Sequence, residues 1–162
     1  MSKSNVGLSF DVDGNLTLTA VTKLGQPGGG LAGTIYVNDK GIGVQNEIAD
    51  GSKGISGEGP DGDELLRFTY NTPVAGDTLD LHLLGVAVNS GGFNNEVMQI
   101  ELFFAGAPSV VRNNADVFAA YTETGQNDGF VDFSLLDGIG GAGGLTGFEF
   151  RVYEGHVLVS GV

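Results

Sequence analysis

Apolar and polar residues alternate with a period of two along much of this chain. Residues 6–12 alternate in this way, and the alternation resumes over residues 16–20 after Asp13-Gly14. A period of two places one side of a β-strand in the core. An Asp-Gly pair readily adopts the positive φ angles of a tight hairpin turn. The beginning of the chain therefore predicts a β-hairpin.

The same alternation, punctuated by Gly, Asn, Asp and Pro, continues to the end of the chain. Further strands are predicted over residues 34–37, 41–44, 65–70, 79–88, 97–104, 117–121, 130–135, 148–153 and 156–162. Asn71-Thr72-Pro73 is expected to stop the strand over 65–70. The segment 97–104 is nearly continuous in apolar residues, so it predicts a central strand buried on both faces and ended by Pro108. Residues 114–121 fit a short helix no better than a strand.

About ten short strands without helices between them predict an all-β fold. We expect residues 1–162 to form one domain, a jelly-roll-like antiparallel β-sandwich with long Gly-rich loops. The chain has 29 glycines in 162 residues. Because glycine in a strand interior costs about 0.5–1 kcal/mol relative to alanine, most glycines are expected in loops such as 25–30 and 138–147.

The charge and the residue types exclude several function classes. The chain carries 20 acidic and 7 basic residues, with a formal net charge of -13. Nucleic acids and anionic membranes attract basic surfaces, so neither is an expected partner. The absence of cysteine excludes disulfides, thiol nucleophiles and thiolate metal sites. No segment has the length of about 18 apolar residues that membrane insertion requires.

An acidic segment is the strongest candidate for a metal site. Six carboxylates lie within the 18 residues from position 47 to position 64. Calcium prefers many oxygen ligands, and glycine allows the tight turns that bring them together. The sequence predicts a calcium site with five ligands: Glu47, Asp50, Asp61, Asp63 and Glu64. The alternative is a solvated acidic loop, because the spacing is not that of an EF-hand.

No catalytic signature is visible, and the protein is predicted not to be an enzyme. The chain has neither the G-x-S-x-G motif of a nucleophilic serine nor a phosphate-binding loop. His82 and His156 occupy polar positions of their strands, which favours surface histidines. The four tyrosines could stack against sugars or cover sheet edges: Tyr36, Tyr70, Tyr121 and Tyr153.

One stretch resembles a known family. Gly41-Ile42-Gly43-Val44 is followed by the acidic loop, then by Asp-Glu-Leu-Leu-Arg-Phe-Thr-Tyr over residues 63–70, and then by Pro73-Val74. This order is similar to the extracellular domains of bacterial exosortase-sorted (PEP-CTERM) and related choice-of-anchor surface proteins. The resemblance implies an exported β-sandwich and supplies no catalytic residues. It points to Glu64 and its neighbours as a structural or calcium-bound corner.

These observations favour a non-catalytic, extracellular or cell-surface β-sandwich module with a structural, adhesive or matrix role. The expected partner is a glycan or a matrix component, and the signal and anchor of an exported bacterial protein would lie outside this chain. Two alternatives remain open. One is a carbohydrate-binding module. The other is a self-assembling subunit of a fibre or shell that forms homo-oligomers or exchanges its terminal strands.

Overall fold

The computed structural model describes residues 14–24, 31–37, 40–45, 54–56, 63–136, 138–139 and 144–162. The predicted strand over residues 6–12 lies outside them. The described strands are β1 (Leu16–Leu24), β2 (Leu31–Val37), β3 (Ile42–Gln45), β4 (Ile55–Ser56), β5 (Asp63–Val74), β6 (Asp80–Leu84), β7 (Val88–Asn89), β8 (Gly92–Phe93), β9 (Val97–Phe104), β10 (Ala107–Arg112), β11 (Tyr121–Gly125), β12 (Asp128–Asp132), β13 (Leu145–Glu154) and β14 (His156–Gly161). One helix, α1 (Asn114–Ala119), and two short 3₁₀ turns, Gly76–Thr78 and Phe133–Leu135, complete the described elements.

Eleven of these strands form one antiparallel sheet that curls into a half-barrel. Their order is β10-β9-β13-β5-β1-β2-β3-β14-β6-β12-β11, while β4 pairs with β14, and β7 with β8. Strand β2 pairs with β1 on one side and β3 on the other. It therefore joins a first half, β10-β9-β13-β5-β1, to a second half, β3-β14-β6-β12-β11. The all-β antiparallel prediction is confirmed.

The inward residues of both halves contribute to one hydrophobic core. Phe68 on β5 stacks against Phe148 on β13, with ring centroids 4.4 Å apart. Phe133, from the turn that follows β12, contacts Phe148 edge to face at 5.0 Å. All three side chains are completely buried, and each such burial contributes about 1.5–3 kcal/mol. The aromatic contact between the halves helps to hold the sheet in its curled form.

Strand β9 has the predicted bounds but not the predicted burial. Met98, Ile100, Leu102 and Phe104 are buried, whereas the residues between them are only half-buried. The prediction that this strand is buried on both faces is therefore wrong. Its second face lies on the outside of the first half, because no layer of the described structure covers it.

Two prolines that were predicted to end strands lie inside strands, each one residue from a strand end. Strand β5 continues to Val74, past Asn71-Thr72-Pro73, although the sequence predicted that it stops there. The pairing of β5 with β13 shifts just before Val74, so Pro73 lies where the ladder is irregular. Pro108 does not end β9 but lies in β10, which is an edge strand with its own register shift. Edge strands tolerate proline because one row of their backbone groups is not paired.

The segment that sequence patterns left ambiguous is helical. The side chain of Asn113 accepts hydrogen bonds from the backbone N–H groups of Ala115 and Asp116, at 2.9 and 3.2 Å. In return, the Asp116 carboxylate accepts one from the Asn113 N–H at 3.0 Å. This capping box starts α1 and excludes the alternative strand over residues 117–121. The helix connects β10 and β11, the two edges of the main sheet.

Gly147 provides a test of the sheet packing. A Cβ atom at this position would overlap the carbonyl oxygen of Phe68. We predict that Gly147→Ala lowers the free energy of unfolding by about 1–3 kcal/mol, because backbone must move. Urea unfolding followed by circular dichroism measures this change. Gly91→Ala is the matched control, since the nearest atom to its new Cβ would be 3.8 Å away. Equal stability of the two variants would contradict the described packing.

Candidate functional site

A groove of about 320 Å³ lies on the outer face of the first half. We call it the sheet groove, and its side chains come from three adjacent strands, β5, β9 and β13. They include Arg67, Thr69, Phe103, Thr146 and Glu149. Gly147 lies between Thr69 and Phe103 in the strand register. Because glycine has no side chain, β13 approaches the backbone of β5 closely here, where a Cβ atom would overlap the Phe68 carbonyl oxygen.

A charged pair forms part of the groove. Arg67 Nε donates a hydrogen bond to Glu149 Oε1 at 2.6 Å, and Arg67 Nη2 contacts the same oxygen. The Arg67 side chain is 49% exposed and that of Glu149 is 15% exposed. Because the guanidinium side of this pair is open to solvent, the pair adds at most about 1 kcal/mol to stability. It therefore offers hydrogen-bonding groups to a ligand at little cost to the fold.

The groove lies in the middle of the first half, where β13 shifts register against both β5 and β9 between Leu145 and Gly147. Strands β5, β9 and β13 are all interior strands, paired on both sides. The stacked rings of Phe68 and Phe148 lie on the buried side of β5 and β13. Thr146 Oγ1 donates to the Phe103 carbonyl at 3.2 Å and ties β13 to β9. A ligand would therefore meet a preformed surface and would not have to order a loop.

The predicted calcium ligands are only partly within the described residues. Glu47, Asp50 and Asp61 lie outside them, while Asp63 and Glu64 begin β5. Glu64 is completely buried opposite Val152 of β13. Within the described part of the chain, no group of three or more His, Asp or Glu side chains could hold a metal ion. The calcium site stays a prediction.

The residues proposed for other chemistry are scattered. His82 and His156 are both exposed, and His82 packs near Phe130 with ring centroids 5.5 Å apart. Of the four tyrosines, only Tyr70 lines the sheet groove, and it is largely buried. The Tyr153 hydroxyl donates to Gln99 at 2.9 Å. Sequence reasoning missed Phe103, because segment 97–104 was predicted to be buried on both faces.

Tyr121 has an unusual environment. Its hydroxyl is buried and has no hydrogen-bond partner within the described residues, and its ring meets Phe93 edge to face at 5.3 Å. Burial raises the pKa of Tyr121 from 10.0 to about 12. Nearby carboxylates add to this shift: Glu123, Asp128 and Glu96. The residue therefore stays neutral at physiological pH.

Comparisons with known proteins supply no relative. No protein family, curated protein or solved structure matches this chain. The resemblance to exosortase-sorted surface proteins therefore remains a hypothesis based on residues 41–74. Among the described helices, none has the length and hydrophobicity needed to cross a membrane.

Tyr121 predicts a dependence of stability on high pH. Because its pKa is higher in the folded protein, the unfolded chain loses this proton first. The neutral Tyr121 hydroxyl therefore makes its full contribution to the free energy of unfolding below about pH 10. This contribution is lost as the pH rises through about 12. Ultraviolet titration should include a step of late tyrosine ionisation, and Tyr121→Phe should reduce that step by one residue. Tyr153→Phe is the control and should retain it; loss of the late step in both variants would contradict the assignment.

The calcium site predicts a shift in thermal stability. A ligand at 100 times its Kd adds about 2.7 kcal/mol, or about 5–10 °C of melting temperature for a chain of this size. We expect this rise on adding calcium, and we expect Asp63→Asn to reduce it because one oxygen ligand loses its charge. Asp80→Asn, an exposed acid on β6, is the control with the same charge change. If the melting temperature is the same in calcium and in chelator, the calcium site is wrong and the acidic segment is a solvated loop.

Proposed function

We propose that this protein is a non-catalytic adhesive module of the bacterial cell surface, and that it binds neutral glycan chains through the sheet groove. The observation that carries the proposal is the position of Phe103 beside Arg67 and Glu149 on a rigid sheet face. A sugar ring has an apolar C–H face and a polar rim of hydroxyl groups. An aromatic side chain next to fixed hydrogen-bonding groups matches both features.

The charges in the sheet groove favour a neutral ligand. Arg67 and Glu149 compensate each other within the groove, and the whole chain carries a net charge of -13. A polyanion would meet a repulsive field on approach, and a cation would have to compete with Arg67 for Glu149. Hydroxyl groups can both accept from the guanidinium and donate to the carboxylate without adding a charge.

The size of the sheet groove agrees with an adhesive role. Its volume is close to the lower limit of ligand sites, which are about 300–1,000 Å³. One or two sugar units would fit, so the affinity of a single groove should be modest. Adhesion tolerates weak single contacts, because many copies on one surface bind a long polymer together. The acidic, Gly-rich composition and the resemblance over residues 41–74 support a cell-surface location.

Self-assembly through the C-terminal strand is a weaker candidate. Strand β14 already pairs with β3 and β6, so it would have to leave the sheet before it could join a neighbouring copy. The edge strand β10 carries Pro108 and a register shift, and both features hinder pairing with another strand. We therefore favour glycan binding over strand exchange.

We predict that Phe103→Ala weakens glycan binding by about 10- to 100-fold, because the apolar contact with the sugar ring is lost. A glycan array of neutral polysaccharides identifies the ligand, and isothermal titration calorimetry then measures the Kd of each variant. Val111→Ala is the control: this valine is 49% exposed and pairs with Glu101 on the same outer face, outside the groove. The proposal fails if the wild type binds no neutral glycan, or if both variants lose affinity equally.

A further inference from the structure

A second and larger depression lies in the other half of the sheet. Its volume is about 620 Å³, and it forms where β14, the end of β6 and the turn between β11 and β12 meet. We call it the turn cleft, and it shares no lining residue with the sheet groove. The side chains that matter below are Lys40, Leu84, Gln126, Asp128, His156 and Leu158.

One wall of the turn cleft is fixed by backbone hydrogen bonds. Asn127 adopts a φ of 63°, which the tight turn between β11 and β12 requires. Its carbonyl oxygen accepts hydrogen bonds from the N–H groups of both Gly85 and Val86, each at 2.9 Å. The turn is therefore attached to the chain that follows β6, and the polar side chains on either side of Asn127 have a defined position.

The turn cleft holds charged side chains of both signs. The chain has 20 acidic residues and only 7 Lys or Arg, and one of these seven, Lys40, lies exposed at this cleft together with the exposed His156. Asp128 is half-buried in the same lining. Leu84 and Leu158 are paired in the register of β6 and β14 and supply an apolar surface.

We propose that the turn cleft binds a saccharide that carries one carboxylate, such as a single uronic acid residue. The Lys40 ammonium donates to the carboxylate in a charge-assisted hydrogen bond. Asp128 and the Gln126 amide hydrogen-bond to sugar hydroxyls, and the apolar surface of Leu84 and Leu158 packs against the ring. A phosphate group fits less well, because it would bring nearly two negative charges close to Asp128.

The test uses a matched pair of ligands: a disaccharide with one glucuronate, and the same disaccharide with that carboxyl group as its methyl ester. We expect the acid to bind more tightly than the ester in isothermal titration calorimetry at low salt. Lys40→Gln should weaken binding of the acid by about tenfold or more, because a charged hydrogen bond is lost. It should leave binding of the ester nearly unchanged. Equal affinities for acid and ester, or no binding of either, would overturn the proposal.

Two further variants separate a local contact from general electrostatics. Arg112→Gln removes one positive charge, as Lys40→Gln does, but on β10, outside both the turn cleft and the sheet groove. If Arg112→Gln weakens binding of the acid as much as Lys40→Gln, the effect comes from net charge and the proposal is wrong. If Phe103→Ala abolishes binding of the acid, the ligand lies in the sheet groove and the proposal is also wrong. The amide NMR signal of Leu158 should shift with the acid in the wild type, independently of whether the proposed glycan function holds.

Discussion

The architecture depends on one constraint: a single wide antiparallel sheet has an apolar face that must be covered. Eleven strands are too many to be covered by α1, the one helix among the described residues, so the sheet covers itself by curling about β2. The contact between Phe133 and Phe148 marks the place where the two halves meet. Curling leaves the outer face of β5, β9 and β13 free. That face carries the sheet groove, and the stacked rings of Phe68 and Phe148 lie on the buried side of the same strands.

Glycine has a second role in this sheet besides forming loops. The sequence predicted that most glycines lie in loops, yet Gly129 and Gly147 lie in the interior strands β12 and β13. A Cβ at either position would overlap neighbouring backbone atoms, so each permits an approach that no other residue allows. At Gly129 the ring of Tyr121 fills the space, which explains the burial of its hydroxyl. At Gly147 the backbone of β5 fills the space, and this close approach lies within the sheet groove.

The alternation of apolar and polar residues predicted the positions of the strands better than it predicted which of their faces are buried. The bounds of β9 were predicted correctly, but its hydrophobic content concealed an alternation that Gln99 and Glu101 already showed. Weighting those two polar residues would have placed Phe103 on the outer face. No local signal could have identified the groove itself, since Arg67 and Glu149 are 82 residues apart and meet only through the order of the strands. The capping box of α1 was readable, because Asn113 and Asp116 have the required spacing.

The strongly acidic surface gives the two proposed sites a common logic. At physiological ionic strength, exposed charges further apart than about 8 Å are largely screened from each other. A long polyanion comes within this distance of many acidic side chains at once, whereas a single bound group feels mainly the side chains around it. A polyanion is therefore repelled wherever it binds. Binding of a neutral sugar at Arg67 and Glu149, or of a single carboxylate at Lys40, depends mainly on local contacts instead. Under this view the net charge of -13 restricts the ligands, and the few basic residues determine where an acidic group is accepted.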